Sequence, residues 1–378
     1  MLNFLKSLAR KYLRKRRGAK ICDMLTYADM SPVSNERTGS LNKVAFVLPA
    51  FRMSEFGGGT TSVFRLADGL GGHGFDVCVT LENDEFYENM RSSVHKLFPG
   101  FRAKAITNAE FRKTTFDCVI ATSWETAYYV KSFPGYKMYF VQDYEPYFNE
   151  RGDLSYLAEK TYGFGYHMVS LGGWNRKKIA EVYPDARIDH IGFPFDGSNY
   201  KPVKRQRITD KKTVKAAVYL RNTPRRLPFV TEWLCRRLTE LFAADGKTLE
   251  VNFFGDDMKM KTSVGKNLGP LGWKDLAVLY EESDFGIVFS YTNISLVPYE
   301  MMATGLPLVE LKEGTFTEFM PERSAVLFDG DCEKTYAELL LRLTDADLCE
   351  KIDAENRALL AARTWDETVR GFAEILKG

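Results

Sequence analysis

Residues Ser290 to Pro307 read S-Y-T-N-I-S-L-V-P-Y-E-M-M-A-T-G-L-P, and this stretch decides the fold. The run Phe285–Phe289 just before it is short, apolar and rich in β-branched and aromatic residues, which is typical of a buried strand. Leu306–Val309 at its end predicts the next strand. Between these strands Ser295 or Asn293 can cap a helix, which a Gly-Leu-Pro sequence then terminates. The stretch therefore predicts a strand–turn–helix–strand unit of an α/β protein.

A helix that begins directly after a strand points its free N–H groups outward, where the positive end of the helix dipole also lies. Such a helix start binds phosphate readily. Glu300 lies about one and a half turns into the predicted helix, close enough for its carboxylate to reach hydroxyl groups of the same ligand. A nucleotide diphosphate-sugar fits this combination. The alternative is an ordinary α/β unit in which Glu300 is solvated or structural.

Composition sets the class of protein. The 378 residues suffice for two domains of ordinary size, and 45% hydrophobic with 27% charged residues is typical of a globular protein. A formal net charge of +2 gives no global field that favours nucleic acid. Six scattered cysteines without a C-x-x-C pair, and four histidines without paired spacing, predict neither a disulfide framework nor a metal site. We expect a cytoplasmic protein without a signal peptide or membrane span.

The N-terminal segment, residues 1–40, stands apart from the rest. Apolar residues recur at helical spacing within residues 1–20, and seven lysines and arginines occupy the other face and the end. A basic amphipathic helix of this kind can lie on an anionic membrane surface, so the segment predicts peripheral attachment to the inner face of the cell membrane. A surface helix packed on its own domain is the alternative. The apolar positions are Leu2, Leu5, Leu8, Ala9, Tyr12 and Leu13.

Alternating strands and helices from residue 41 to residue 195 predict a first domain with a parallel, doubly wound sheet. After its first strand come Gly58, Gly59 and Thr60, in a glycine-rich loop before a helix that we expect from about Ser62. Glycines between a strand and a helix let the backbone approach a ligand closely. We therefore expect this loop to contact the phosphates or the sugar of the ligand, although a flexible turn would have the same composition.

The glycines of Gly69–Gly74 match G-x-G-x-x-G literally. The dinucleotide-binding fingerprint must follow a strand and open a helix, whereas these glycines come at the end of the predicted helix. They are better explained as a helix C-cap and turn, which excludes the nicotinamide-cofactor interpretation.

A second group of polar residues follows the predicted strand that ends at Val141. Ligands of doubly wound sheets bind beyond the carboxyl ends of the strands, which is where Asp143 and Glu145 stand among aromatic residues. Either carboxylate could act as the general base or bind sugar hydroxyls, and Tyr144 and Tyr147 could offer stacking faces. A solvated loop whose aromatic residues belong to the core is the alternative.

A basic stretch rich in proline and glycine, residues 192–212, predicts the linker to a second α/β domain over residues 213–363. Arg221 and Arg226 follow the first strand of that domain, where cations are plausible diphosphate partners; plain surface arginines are the alternative. The last segment, residues 364–378, predicts a helix with one apolar face that crosses back onto the first domain.

The segment from Leu271-Gly-Trp273 to the end of the Ser290–Pro307 stretch resembles the donor domain of GT-B glycosyltransferases of family 4. In detail the chain is similar to bacterial dTDP-rhamnose-dependent rhamnosyltransferases of the WsaF type, a match that the V-Q-D-Y-E-P and G-G-G-T-T segments support. The resemblance implies two Rossmann-like domains that face a central cleft, with metal-independent donor binding. It implies transfer of a sugar, with dTDP-L-rhamnose the leading donor, to a bacterial surface polysaccharide or a lipid-linked glycan.

The same resemblance assigns roles to individual residues. Glu300 matches the glutamate that usually holds the nucleotide ribose, and the amides around Ser295 match the phosphate-binding helix start. The first glutamate of that motif, which usually touches the donor sugar, is Thr292 here, so the sugar contact must be made differently. The predicted donor-binding residues are Gly58, Gly59, Thr60, Arg221, Arg226, Leu271, Thr292, Asn293, Ser295, Leu296, Val297 and Glu300, with no metal ligand.

Two other functions share this architecture. A nucleotide-sugar 2-epimerase would convert the donor without any acceptor, and a non-catalytic scaffold in polysaccharide assembly would bind a nucleotide without turnover. Thr292 in place of a glutamate is the feature that favours the scaffold. The stereochemical course stays open, because membership of the resembled family favours retention whereas a β-linked dTDP-L-rhamnose donor that gives an α-rhamnoside would mean inversion. An inverting enzyme needs a base near the acceptor hydroxyl, and a retaining one can use the leaving phosphate.

Overall fold

The computed structural model describes residues 29–50, 58–205, 208–256 and 261–378. The predicted amphipathic helix of residues 1–20 lies outside these residues. Among the helices within the described ranges, none combines the length and the apolar character needed to cross a membrane.

The first domain is built on a seven-stranded sheet with the order β3-β2-β1-β4-β5-β6-β7, and every pairing in it is parallel. The central strands are buried along nearly their whole length, as expected for a parallel sheet covered by helices on both faces. The strands are β1 (Lys43–Leu48), β2 (Asp76–Leu81), β3 (Lys104–Ala105), β4 (Cys118–Ala121), β5 (Tyr136–Val141), β6 (His167–Leu171) and β7 (Ile188–Ile191). The helices are α1 (Gly58–Gly72), α2 (Tyr87–Leu97), α3 (Asn108–Phe111), α4 (Trp124–Val130), α5 (Asp153–Lys160) and α6 (Gly173–Val182).

The second domain is built on a six-stranded parallel sheet with the order β10-β9-β8-β11-β12-β13. Its strands are β8 (Thr213–Tyr219), β9 (Thr248–Phe254), β10 (Lys266–Asn267), β11 (Phe285–Ile287), β12 (Leu308–Leu311) and β13 (Val326–Phe328). Its helices are α7 (Pro228–Ala244), α8 (Trp273–Glu282), α9 (Leu296–Ala303), α10 (Cys332–Thr344) and α11 (Ala346–Ala361). The strand order reverses between β1 and β4 in the first sheet and between β8 and β11 in the second, so each sheet has a crevice at that point.

Helix α1 begins at Gly58, earlier than the Ser62 that the sequence predicts. Gly58, Gly59 and Thr60 therefore form its first turn rather than a loop ahead of it, and the Ser62 hydroxyl donates to the Gly58 carbonyl at 2.9 Å. The helix ends at Gly72, so the G-x-G-x-x-G match closes a helix as expected.

The last helix, α12 (Trp365–Lys377), follows the second domain in sequence but packs on the first. The ring of Phe372 lies 6.0 Å from that of Phe46 on β1 and 5.9 Å from that of Phe140 on β5. Just before α12, the Arg363 carbonyl accepts a hydrogen bond of 2.7 Å from the Phe195 amide. The chain thus crosses between the domains twice, and the two crossings are bonded to each other.

The domains approach each other closely at Gly172, directly after β6. Its φ of +87° lies in the left-handed region that glycine tolerates, and a Cβ at this position would stand 2.4 Å from Cε1 of Phe319 in the second domain. Nearby, Lys177 on α6 forms an ion pair with Glu318 across the same boundary. The carboxyl ends of the two sheets are therefore held face to face.

Candidate functional site

The N-terminus of α9 is uncapped among the residues that the structure describes. Ser295 occupies the N-cap position with extended backbone (φ −103°, ψ 176°), but its side chain makes no capping bond. An N-cap serine ordinarily accepts from an amide of the first turn. Here the Ser295 hydroxyl is buried and has no hydrogen-bond partner in the described ranges. The helix start therefore offers a hydroxyl and amides to a ligand that lies in front of it.

Arg226 stands in the loop after β8, the strand that pairs with β11. Its side chain is buried, yet its only side-chain hydrogen bond to the described residues is a long one of 3.4 Å to the Phe289 carbonyl. A guanidinium carries five N–H donors, so most of its bonding capacity is unused by the described residues. Burial lowers the pKa of Arg226, because the charge is costly without a partner. The nearby Thr223 hydroxyl is also buried without a partner among those residues.

Glu310, at the end of β12, fixes the start of the loop that leads to α9. Its carboxylate accepts from the Ser290 amide at 2.9 Å, from the Ser290 hydroxyl at 2.6 Å and from the Leu311 amide at 3.0 Å. Burial raises the pKa of Glu310 to about 7, although these hydrogen bonds and the charge of Arg226 oppose the rise. The Glu310 carboxylate on β12 and the Arg226 cation after β8 therefore flank the loop after β11, the strand that lies between β8 and β12.

Glu300 lies on α9 between two tyrosines. The Tyr280 hydroxyl donates to Oε2 of Glu300 at 3.2 Å, and the Tyr200 side chain faces the same carboxylate. Burial raises the pKa of Glu300 to about 7, and the two hydroxyls offset part of the rise. The carboxyl group is thus poised to change its charge near neutral pH.

Asp143 comes from the first domain and lies against the second. Its Oδ2 accepts from Nη1 of Arg225 at 2.7 Å and from the Thr292 hydroxyl at 2.9 Å. Its Oδ1 accepts from the Asn293 amide at 3.0 Å and from the Tyr144 amide at 2.8 Å. The structure therefore joins two predicted sites, Asp143 and the Thr292–Asn293 turn, into one cluster. With four protein donors on two oxygens, the carboxylate has no lone pair left for a substrate in this arrangement.

Glu145, only two residues further, points away from this cluster into the first domain. Its Oε2 accepts from the Trp124 amide and its Oε1 from the Tyr139 hydroxyl, both at 2.8 Å. Burial raises the pKa of Glu145 to about 8, and the charge of Glu125 adds to the rise. A carboxyl group bound to the start of α4 is placed to hold the fold, which corrects the expectation that it lines the cleft as a base.

The other predicted residues are divided between the two domains. Arg221 is exposed in the loop after β8, and Leu271 is half-buried against the core just before α8. Gly59 lies on the first-domain side, where a Cβ would stand 3.4 Å from Oε1 of Gln142, while a Cβ on Gly58 would meet nothing within 4 Å. Leu296 and Val297 form the half-buried first turn of α9.

Four residues of the site were not singled out from the sequence. Arg225 carries a signal, since it stands in the basic R-N-T-P-R-R segment, and Glu310 is the lone charge in an apolar strand. Tyr200 and Tyr280 carry none, because only the packing of the linker and of α8 brings their hydroxyls to Glu300.

No protein-family model matches the chain. A curated relative, the O-antigen biosynthesis protein RfbC of Myxococcus xanthus, is 32% identical over 244 residues. The match covers 61% of this chain and 18% of that protein, so the chain spans under a fifth of the relative's length.

Two solved structures are similar over nearly their whole length. Anabaena Alr3699/HepE in complex with UDP and glucose has a TM-score of 0.65 and 16% identity, over 88% of this chain and 99% of that one. A glycosyltransferase from Rickettsia africae ESF-5 has a TM-score of 0.63 and 14% identity, over 89% of this chain and 97% of that one. Together with the two parallel sheets, these likenesses establish the GT-B fold.

Proposed function

We propose that the protein is a glycosyltransferase that moves a sugar from a nucleotide diphosphate-sugar to a glycan acceptor. One observation carries the proposal: buried unsatisfied polar groups stand at the carboxyl ends of two adjacent strands, β8 and β11. They comprise the hydroxyls of Thr223 and Ser295 and most N–H donors of Arg226. Buried polar groups are rarely left unpaired, so a cluster of them indicates a missing ligand. Hydroxyls, amides and a guanidinium suit a diphosphate.

We assign a role to each group as part of this proposal. The amides of Leu296 and Val297 and the guanidinium of Arg226 stabilise the negative charge that builds on the diphosphate as the sugar departs. Glu300 accepts hydrogen bonds from the ribose hydroxyls, for which the ionised carboxylate is the better acceptor. Arg221, exposed at the same strand end, adds a second cation.

Two comparisons support the biological setting. The curated relative is named for O-antigen biosynthesis, and the Anabaena structure holds UDP and glucose. From the name of the relative we propose a role in surface polysaccharide assembly. The Anabaena complex makes UDP an alternative to dTDP as the nucleotide. The proposed donor remains dTDP-L-rhamnose, through the resemblance of the V-Q-D-Y-E-P and G-G-G-T-T segments.

A thermal-shift panel of UDP, dTDP, UDP-glucose and dTDP-L-rhamnose tests the donor site. A ligand at 100 times its Kd stabilises the folded state by about 2.7 kcal/mol, which we expect to lose in Glu300→Ala and Arg221→Ala. Unchanged binding in both variants would refute the donor site. Radiolabelled donor with extracted glycan acceptor then tests transfer. Conversion of the donor alone would indicate an epimerase, and binding without turnover would indicate a scaffold.

Nucleotide affinity should depend on pH through Glu300. The pKa of Glu300 is about 7, so its carboxyl group is mainly neutral at about pH 6 and mainly ionised at about pH 8. Since a hydrogen bond to a charged group is worth about 1.5–3 kcal/mol, UDP or dTDP should bind roughly tenfold more tightly at the higher pH. Calorimetry should show that Glu300→Gln loses most of this slope, and that the exposed Glu281→Gln keeps the slope of the native protein. An equal slope in Glu300→Gln would contradict the assignment.

A further inference from the structure

Asp143 lies at the point where the two domains meet. It follows β5 of the first domain, and its buried carboxylate receives three of its four hydrogen bonds from Arg225, Thr292 and Asn293 of the second. The pair with Arg225 is also an ion pair, and charge-assisted bonds are about twice as strong as neutral ones. No other acidic side chain in the described ranges bridges the domains with so many donors.

Asn293 extends the same connection. Its side-chain amide donates to the Gln142 carbonyl at 2.6 Å and to the Leu171 carbonyl at 2.9 Å, at the ends of β5 and β6. With its backbone amide on Asp143, Asn293 makes three bonds to the first domain. It stands two residues before Ser295, so the turn that aims the start of α9 is fixed by the opposite domain.

Arg225 is held in place on a second side. Its guanidinium lies 4.3 Å from the centre of the Phe148 ring, in the 3₁₀-helix Glu145–Phe148 of the first domain. The neighbouring Arg226 is the buried cation of the proposed donor site. The first domain therefore constrains both loops, after β8 and after β11, that supply the diphosphate contacts.

We propose that Asp143 is a positioning residue, which orients the α9 turn and the Arg225–Arg226 loop for the donor diphosphate only while the domains are together. The inference rests on the proposed function. Donor binding and closure then stabilise each other, because a coupling between two equilibria acts equally in both directions. Thr292 fits this arrangement, since a glutamate at that position would place a second carboxylate against Asp143.

Geometry separates this role from that of a general base. A base must present a free lone pair within hydrogen-bond reach of the acceptor hydroxyl. The Asp143 carboxylate gives both oxygens to protein donors, two of which belong to the backbone amides of Tyr144 and Asn293. Its charge is thus used to hold the protein in shape.

The test compares Asp143→Asn with Lys177→Gln, which removes the exposed ion pair to Glu318 at the same domain boundary. Asparagine keeps the volume, and Arg225 is partly exposed, so its charge can return to water and the fold survives. In nucleotide-free protein we expect amide hydrogen exchange of residues 290–297 to accelerate at least about tenfold in Asp143→Asn. Lys177→Gln should exchange like the native protein, because exposed ion pairs contribute little.

Nucleotide affinity and steady-state kinetics supply the second measurement. Asp143→Asn should weaken UDP or dTDP binding and raise the donor KM roughly tenfold, with kcat within about threefold of native. Unchanged exchange, or equal acceleration in Lys177→Gln, would overturn the proposal. A loss of kcat of about a hundredfold with native exchange and native donor KM would instead make Asp143 the base. Failure of the native protein to bind either nucleotide would refute the donor site. The exchange comparison would still show whether Asp143 holds residues 290–297 in place.

Discussion

Replacing Arg226 with methionine is expected to weaken nucleotide binding at least about a hundredfold while the protein stays folded. Two charge-assisted hydrogen bonds to a diphosphate are worth roughly 3 kcal/mol or more together, and each 1.4 kcal/mol is a factor of about ten in affinity. The guanidinium is buried and has a single long hydrogen bond within the part of the chain that the structure describes, so the folded state loses little when it is removed.

The stability of Arg226→Met follows from the neighbouring Glu310. The pKa of Glu310 is already about 7, and loss of the nearby cation raises it further, so the carboxyl group takes up a proton at neutral pH. Replacing a buried charge with an apolar side chain of similar length is then tolerated, because a desolvated cation is costly in itself. We expect the melting temperature to change by less than about 4 °C.

Calorimetry with UDP and dTDP measures the effect, and Arg236→Met on α7 is the matched control. Arg236 is exposed, so its replacement removes an arginine without touching the strand ends. Native affinity in Arg226→Met would contradict the donor site, and equal loss in both variants would point to a nonspecific effect of net charge.

Glu145 should tolerate glutamine and should not tolerate leucine. Its carboxyl group is mainly neutral at pH 7, because its pKa is about 8, and a glutamine amide has the same shape. Leucine leaves the Trp124 amide and the Tyr139 hydroxyl buried without their partner. Each unsatisfied buried group costs about 1–3 kcal/mol, so Glu145→Leu should lower the free energy of unfolding by about 3 kcal/mol.

The contribution of Glu145 to the free energy of unfolding should fall as pH rises. The pKa of Glu145 is raised in the folded protein, so the stability that the neutral carboxyl group contributes is fully present below the ordinary value of 4.5 and is lost as pH rises towards about 8. Each pKa unit corresponds to about 1.4 kcal/mol, which makes the loss on the order of 3–5 kcal/mol. Glu145→Gln cannot ionise, so its stability relative to the native protein should increase over this range.

Urea unfolding at about pH 5, 7 and 9 measures these changes. Glu181→Gln, at an exposed carboxylate paired with Lys178, is the control and should follow the native protein. The same variants decide the catalytic question, because loss of a general base costs about 10²–10⁴ in rate. A loss of this size in a fully folded Glu145→Gln protein would indicate that Glu145 is the general base after all.

The sequence predicts the central elements well and the edges poorly. The strand that was predicted to end at Val141 ends there, and the helix predicted after Ser295 begins at Leu296, since an apolar run and clear flanking residues mark them. The edge strand β7 reads I-D-H-I and was not predicted. Two of its four residues are exposed, so it lacks the apolar pattern that identifies a strand.

At the site, the sequence predicts which residues follow a strand, but it does not predict their hydrogen-bond partners. Asp143 was expected near the cleft because it follows a strand, but its partners Arg225 and Thr292 come 82 and 149 residues later. Only the mutual placement of the two domains shows that its carboxylate is fully bonded. Glu145 follows Asp143 by only two residues and is the first residue of the 3₁₀-helix Glu145–Phe148, yet its carboxylate points into the core of the first domain whereas that of Asp143 reaches across the boundary.

The paired crossings at Phe195 and Arg363 limit how the two lobes can move. A single connecting segment would allow one domain to rotate freely, whereas two adjacent segments joined by a hydrogen bond favour one rotation, about the line through both. Separation of the two domains would then be greatest far from the two connecting segments and least beside them. A substrate would accordingly enter between the domains from the side opposite the two connecting segments.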